Sequence, residues 1–271
     1  MIFNPKTVKP VWIAYLSLLL WLSCGSSPDE LIFDNPLDPE GDDFIPPVTT
    51  ILASPPDTLA IATAHFSWTG SHEDLEFAYR LNDNDFSIWT LDTTITLDYL
   101  DEGDYSFQVK SRYATGVEEA IPAEANFTVD AVPPQSLLLY PYRVLATVGD
   151  TISVELQAHD IMGLTVLDFR LGYDSTAINP ITSTAGPFLA KDGGSLIIIE
   201  EFDPYWHINI GVAQGPGAGV SGTGSILTFR FELVSAAEDS ISVIIESARG
   251  PTDTAVEILS TRGTVFHFVA N

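Results

Sequence analysis

The chain has 271 residues, with 11 Lys and Arg against 37 Asp and Glu and a formal net charge of −26 at pH 7. Contact with a phosphate backbone needs a basic face, so this balance excludes nucleic acid as a partner; an acidic surface keeps a protein soluble and repels anionic lipid. One cysteine rules out a disulfide framework, and five histidines at 65, 72, 159, 207 and 267 lack paired zinc-site spacing, so neither a metal centre nor a resident cofactor is expected.

Lys6 and Lys9 open the chain, and an apolar run from Val11 to Leu22 leads to Ser23 and Cys24. A basic flank, a short apolar stretch and a small-residue end are the layout of a signal peptide over 1–23. The run is roughly a dozen residues where a bilayer span needs about 20, and no basic stop-transfer cluster follows. Leu22-Ser23-Cys24-Gly25 resembles a lipobox, with Trp21 where Leu is usual. The resemblance implies a lipid on Cys24 and attachment to a membrane through that lipid only, on the non-cytoplasmic side. Gly25 stands where Asp commonly retains lipoproteins at an inner membrane, which points to the outer membrane or cell surface. Residues 24–47 are acidic and proline-rich, with too little apolar content for a core, and read as an extended tether.

Beyond residue 47, alternating apolar and polar runs recur between Gly, Pro, Asn and Asp, without a sustained 3.6-residue period. The expected fold class is all-β, as two β-sandwich domains in series over 48–130 and 135–271, joined by a linker at 131–134 whose Val132-Pro133-Pro134 marks the division.

In the first segment Phe66-Ser67-Trp68 and Phe77 to Leu81 read as strands, and Asn82 to Asp85 as a turn. Tyr105, Phe107 and Val109 alternate inward, and Leu100 and Gly103 precede them at the spacing of a tyrosine corner. Trp68, Leu100 and Tyr105 in this order resemble a fibronectin type III or related immunoglobulin-like module, which implies a spacer or adhesion fold. Trp89 and Tyr99 are expected to pack in the core or at its rim.

The second segment carries Val148-Gly149-Asp150, a strand from Leu167 ending at Tyr173-Asp174, Phe188-Leu189 after Gly186, and Gly219-Val220-Ser221-Gly222 before the run to Phe231. These motifs, in this order, resemble a cohesin domain, implying a jelly-roll sandwich of nine strands. What the resemblance implies functionally is protein binding: cohesins present one flat sheet face to a calcium-loaded dockerin module, so any calcium would lie in the partner. On that face the resemblance places Asp168 and Arg170 of the third strand, His207 and Asn209 of the sixth, and Ser242, Ile244 and Glu246 of the eighth. Val166 stands where well-known members often carry Asn, a departure that bears on partner specificity.

Chemical motifs do not assemble. Gly217 to Gly222 matches a dinucleotide fingerprint in letters, but a strand follows where that motif needs a helix. Glu200-Glu201-Phe202-Asp203-Pro204-Tyr205-Trp206-His207 reads as a hairpin tip whose Tyr205 and Trp206 are candidates for glycan contact, without the second placed carboxylate that hydrolysis needs. The expected function is a non-enzymatic, lipid-anchored surface protein that binds a protein partner. Alternatives are a carbohydrate-binding surface module that holds polysaccharide through exposed rings, and a structural spacer in an envelope complex.

Overall fold

A computed structural model describes residues 37–41, 43–202, 205–214, 217–236 and 239–268. The expected signal peptide, the lipidation position Cys24 and the tether up to residue 36 lie outside them. The chain divides into 1–46 and 47–271; the rest concerns the second unit. It is all-β, its only helical turns being short 3-10 segments at 191–193 and 251–253 among the described residues.

Seven strands precede residue 130: β1 (Thr49–Ala53), β2 (Thr58–Leu59), β3 (Thr63–Gly70), β4 (Glu76–Leu81), β5 (Thr94–Asp98), β6 (Gly103–Arg112) and β7 (Ala123–Val129). They form a three-stranded sheet β1-β3-β5 and a four-stranded sheet β2-β7-β6-β4. The two-residue period of a strand sends Phe66 and Trp68 of β3 toward Phe77 of β4 and Phe107 and Val109 of β6, all buried. Phe66 stacks on Phe107 with ring centroids 3.9 Å apart. Tyr105 stays at the rim and its hydroxyl donates to the Asp101 carbonyl at 3.0 Å, the bond that its spacing after Leu100 predicts. Trp89 lies half-buried under Lys110 and Arg112.

Among the described residues eleven strand segments follow: β8 (Ser136–Tyr140), β9 (Arg143–Ala146), β10 (Thr151–Leu164), β11 (Val166–Gly172), β12 (Ile178–Ala185), β13 (Ser195–Glu201), β14 (Trp206–Gln214), β15 (Val220–Leu233), β16 (Asp239–Arg249), β17 (Ser260–Arg262) and β18 (Thr264–Phe268). One sheet runs β12-β15-β10-β8-β17, the other β13-β14-β11-β16-β18-β9. The cohesin resemblance implies about nine strands; the segment has eleven described strand segments, beginning at Ser136. Two strands are broken, the first around Pro141, which has no N–H for a ladder, and the last at Gly263. Both halves of each break pair side by side and parallel, β8 with β17 and β9 with β18. First and last strands thus cross from one sheet to the other together, tying the ends of the sandwich.

The cohesin-like motif residues build turns and core. Asp150 Oδ2 accepts the Thr147 N–H and hydroxyl, both at 2.8 Å, and Gly149 sits at φ +92°. Those hydrogen bonds hold the Asp150 carboxyl below the usual range. Asp174 closes the turn after β11 in the same way, accepting from the hydroxyl and N–H of Thr176. Phe188 and Leu189 are buried. Gly219, at φ +74°, passes so close to Gly163 that a Cβ there would lie 2.4 Å from its carbonyl oxygen. That is a backbone crossing, and β15 follows it.

An ion cluster joins the two sandwiches. Arg262 of β17 donates to Glu102 Oε1 at 2.7 Å and to Asp101 Oδ1 at 3.3 Å. Glu102 also accepts the Ala131 N–H, and Asp101 that of Tyr142, each at 2.8 Å. The Arg262 guanidinium lies 4.7 Å from the centre of the Tyr142 ring, which in turn meets Tyr99 edge-on at 5.3 Å. Burial raises the Asp101 carboxyl above its ordinary range against the pull of Tyr142 and Arg262. Burial, with the neighbouring Asp101 charge, pushes the Tyr105 phenol up to about 12.

The Arg262 side chain is 11 % exposed, so Arg262→Ala leaves two mostly buried carboxylates without their cation. Denaturant unfolding should show a loss of about 2–3 kcal/mol, less than for a fully buried pair because Asp101 and Glu102 keep some solvent; an unchanged midpoint would contradict the joint. A second expectation concerns pH. The folded state lowers the Asp150 pKa, so its stabilisation is present above the ordinary aspartate range and lost as pH falls through the folded value. The melting temperature of Asp150→Asn should therefore lie below the parent's at neutral pH, with the gap closing in acid; a gap that widens in acid would overturn the turn assignment.

Candidate functional site

β11 is the hinge of the site because its alternation is strict. Leu167, Phe169 and Leu171 are buried, and Val166, Asp168, Arg170 and Gly172 point to the other side of the sheet. Antiparallel pairing sets Asp168 opposite Asn209 and Arg170 opposite His207 on β14. On its other flank Arg170 faces Ile244 and Gly172 faces Ser242 on β16. The positions taken from the resemblance, Asp168, Arg170, His207, Asn209, Ser242, Ile244 and Glu246, thus share one sheet face, although they come from three strands far apart in sequence.

Below this face lies an aromatic wall. Trp206 meets Phe229 edge-on at 5.1 Å and Phe231 at 5.6 Å, and Phe169 meets Phe229 at 6.3 Å. Trp206 is completely buried, which corrects its assignment as a glycan contact: the strand begins at Trp206 and its first side chain points inward. Tyr205, one residue earlier and 47 % exposed, points outward.

The polar groups on the face are paired with one another. The His207 imidazole Nε2 donates to Asp168 Oδ1 at 2.6 Å. Arg170 Nε donates to Glu246 Oε1 at 2.5 Å, and its guanidinium carbon sits 5.6 Å from the centre of the Tyr205 ring. Pairs this exposed contribute little to stability, about 0–1 kcal/mol; they hold rotamers. Glu246 reaches Arg170 through a β-bulge, since Asp168 pairs with Ser247 and Phe169 with Ile245, leaving Glu246 as the extra residue.

Two outward positions are glycine. A Cβ on Gly172 would lie 2.6 Å from Ser242 Oγ, and one on Gly211 would lie 3.2 Å from a Val166 methyl. These bare positions keep the face flat. At its edge, β13 adds Ile197 and Ile199, 55 % and 57 % exposed, with Ile199 opposite Asn209. Ile244 is 42 % exposed on the far side. Sequence reasoning missed both β13 isoleucines, because Leu196 to Ile199 reads as a continuous apolar run, whereas Leu196 and Ile198 pack on the core and Ile197 and Ile199 do not. It missed the bulge as well, for which Glu246-Ser247 carries no local signal.

Among the described residues, no group of three or more His, Cys, Asp or Glu side chains is placed to hold a metal ion. The face offers apolar area, fixed charges and flatness, which suit recognition of a surface.

No family model matches the chain, and no curated protein matches it. Solved structures to which it is similar are cohesin domains, each likeness spanning about half of this chain. A non-cellulosomal cohesin from Archaeoglobus fulgidus is 14% identical, over 51% of this chain and 93% of that one, with a TM-score of 0.40. A type I cohesin–dockerin complex from Clostridium thermocellum gives 14% identity, 49% and 98% coverage and a TM-score of 0.42. A type II cohesin from the cellulosome of Acetivibrio cellulolyticus gives 16%, 49% and 95%, and 0.40.

Replacing Trp206 by Ala should cost about 3–5 kcal/mol in urea unfolding, as for other large aromatic truncations in cores. Asn209→Ala, three residues on and outward, should stay within about 0.5 kcal/mol. Equal losses would mean that the two faces of β14 are wrongly divided.

Proposed function

We propose that the chain is a non-enzymatic envelope protein, lipid-anchored at Cys24, which holds out a cohesin-like face of residues 135–271 to bind a partner protein of the dockerin type. The observation that carries this reading is the convergence of Asp168, Arg170, His207, Asn209, Ser242, Ile244 and Glu246 on one flat face beside exposed Ile197 and Ile199. An apolar patch with fixed charges at its centre is the composition of a protein-binding surface. Asp168, Glu201 and Glu246 on the face, in a chain of net charge −26, favour a partner that brings lysine or arginine to it.

The lipobox-like Leu22-Ser23-Cys24-Gly25 supports the anchor, and the polar run that follows supports a tether to the outer membrane or cell surface. The tyrosine-corner bond of Tyr105 supports a fibronectin type III-like spacer between tether and face. The Arg262 cluster makes that spacer a stiff one.

The test is binding of the purified chain to a purified dockerin-type module with its paired calcium loops, from the same genome. Binding should require calcium, and the double variant Asp168→Ala with Arg170→Ala should weaken it at least tenfold, in keeping with the 2–5 kcal/mol that truncated interfacial charges often cost. Unchanged affinity in the double variant, or no binding with calcium present, would overturn the reading.

A further inference from the structure

The first sandwich has a second organised surface, on the outer side of its four-stranded sheet and away from the face just described. A concavity of about 590 Å³ there is lined by Asp57, Asn82, Asp104, Ser106, Asn126 and Thr128. It is a shallow concavity, open to solvent rather than enclosed. Strand order β2-β7-β6-β4 runs the concavity from Asp57, beside β2, to Asn82 at the end of β4. Three interstrand steps make that about 14 Å, room for several linked rings.

Hydrogen bonds within the sheet fix these side chains and determine what each still offers. Asn82, in the left-handed region at φ +55°, donates its backbone N–H to the Ser106 carbonyl at 2.7 Å and accepts the Ser106 N–H on Oδ1 at 2.9 Å. Its Nδ2 remains as a donor. Asp104 Oδ1 accepts the Thr128 hydroxyl at 2.6 Å, leaving Oδ2 as an acceptor. Asn126 Nδ2 donates to Glu124 Oε1 at 3.1 Å, leaving Oδ1 as an acceptor. The neighbouring row is wired in the same manner, Arg80 Nε to Gln108 Oε1 and Gln108 Nε2 to Glu124 Oε2, both at 2.8 Å. Beyond it Arg80 lies 4.7 Å from the centre of the Phe86 ring, so an aromatic ring borders the same face.

We infer that this concavity is a binding groove for a neutral oligosaccharide. Sugar hydroxyls donate and accept at once, and rows of planar amide and carboxylate groups with set rotamers match neighbouring hydroxyls without an ordering cost at binding. Asp57 and Asp104 accept hydroxyl protons and repel carboxylated sugars, as does the chain's net charge of −26. Among the described residues no group of three or more His, Cys, Asp or Glu side chains is placed to hold a metal ion, and the groove itself contributes two carboxylates, Asp57 and Asp104. The groove is independent of the protein-binding face, and the two activities can fail separately.

Titration calorimetry of the purified chain with cellohexaose, xylohexaose and mannohexaose, and with a hexamer of galacturonic acid, tests this. At least one neutral hexaose should bind saturably and the uronate should not. Asp104→Ala combined with Asn126→Ala should weaken binding at least tenfold with the melting temperature maintained, whereas Tyr205→Ala should leave it unchanged. Silence from all three neutral sugars, binding that survives the double variant, or binding lost with Tyr205→Ala would overturn the groove.

Discussion

Everything displayed by the second sandwich depends on what it buries. A strand has two sides and a period of two, so once Trp206, Ile208 and Ile210 are committed to the core, His207 and Asn209 have no choice of direction. Phe169 does the same for Asp168 and Arg170. The wall of Trp206, Phe229, Phe231 and Phe169 is therefore the element that writes the opposite face, and a slip of one residue in β14 would exchange an indole for an imidazole on the surface. The same constraint removes Trp206 as a sugar-stacking ring and leaves Tyr205 outside.

Flatness has a separate origin. Gly172 and Gly211 occupy outward positions where any side chain would crowd Ser242 or Val166. The bulge at Glu246 adds a carboxylate without adding height, because the extra residue turns toward Arg170. His207 with Asp168, and Glu246 with Arg170 and Tyr205, keep the charged groups in fixed places, so the face is already ordered and docking on it would lose less entropy. The Arg262 cluster extends that order across the linker. Two carboxylates from the first sandwich and one guanidinium from the last strand make a joint, and the chain near Ala131 and Tyr142 is bound to it by its own N–H groups.

Much of this was legible in the residues. Alternation in Leu167 to Tyr173 and in Leu227 to Leu233 gave the strands and their inward sides, and the spacing of Leu100, Gly103 and Tyr105 anticipated the hydroxyl bond to Asp101. The Val148-Gly149-Asp150 motif and Asp174 proved to be turn chemistry, and Tyr173 packs against Phe231 in the core. What stayed hidden has a common cause in long-range pairing. The joint depends on Arg262, some 160 residues from Glu102. The exposure of Ile197 and Ile199 follows from β13 lying at a sheet edge, which a run of four apolar residues does not announce. Trp206 was misread for the same reason: the register of β14 against β11 and β13 decides which of the two neighbouring rings faces solvent.

The central claim is that a partner docks on the face made by β13, β14, β11 and β16, and isoleucine methyl NMR tests it most directly. With a calcium-loaded dockerin-type module added to the labelled chain, the methyl signals of Ile197, Ile199 and Ile244 should shift or broaden, while those of Ile61, Ile88 and Ile121, exposed on the first sandwich, stay in place. Perturbation confined to the first-sandwich isoleucines would place the partner elsewhere and contradict the account.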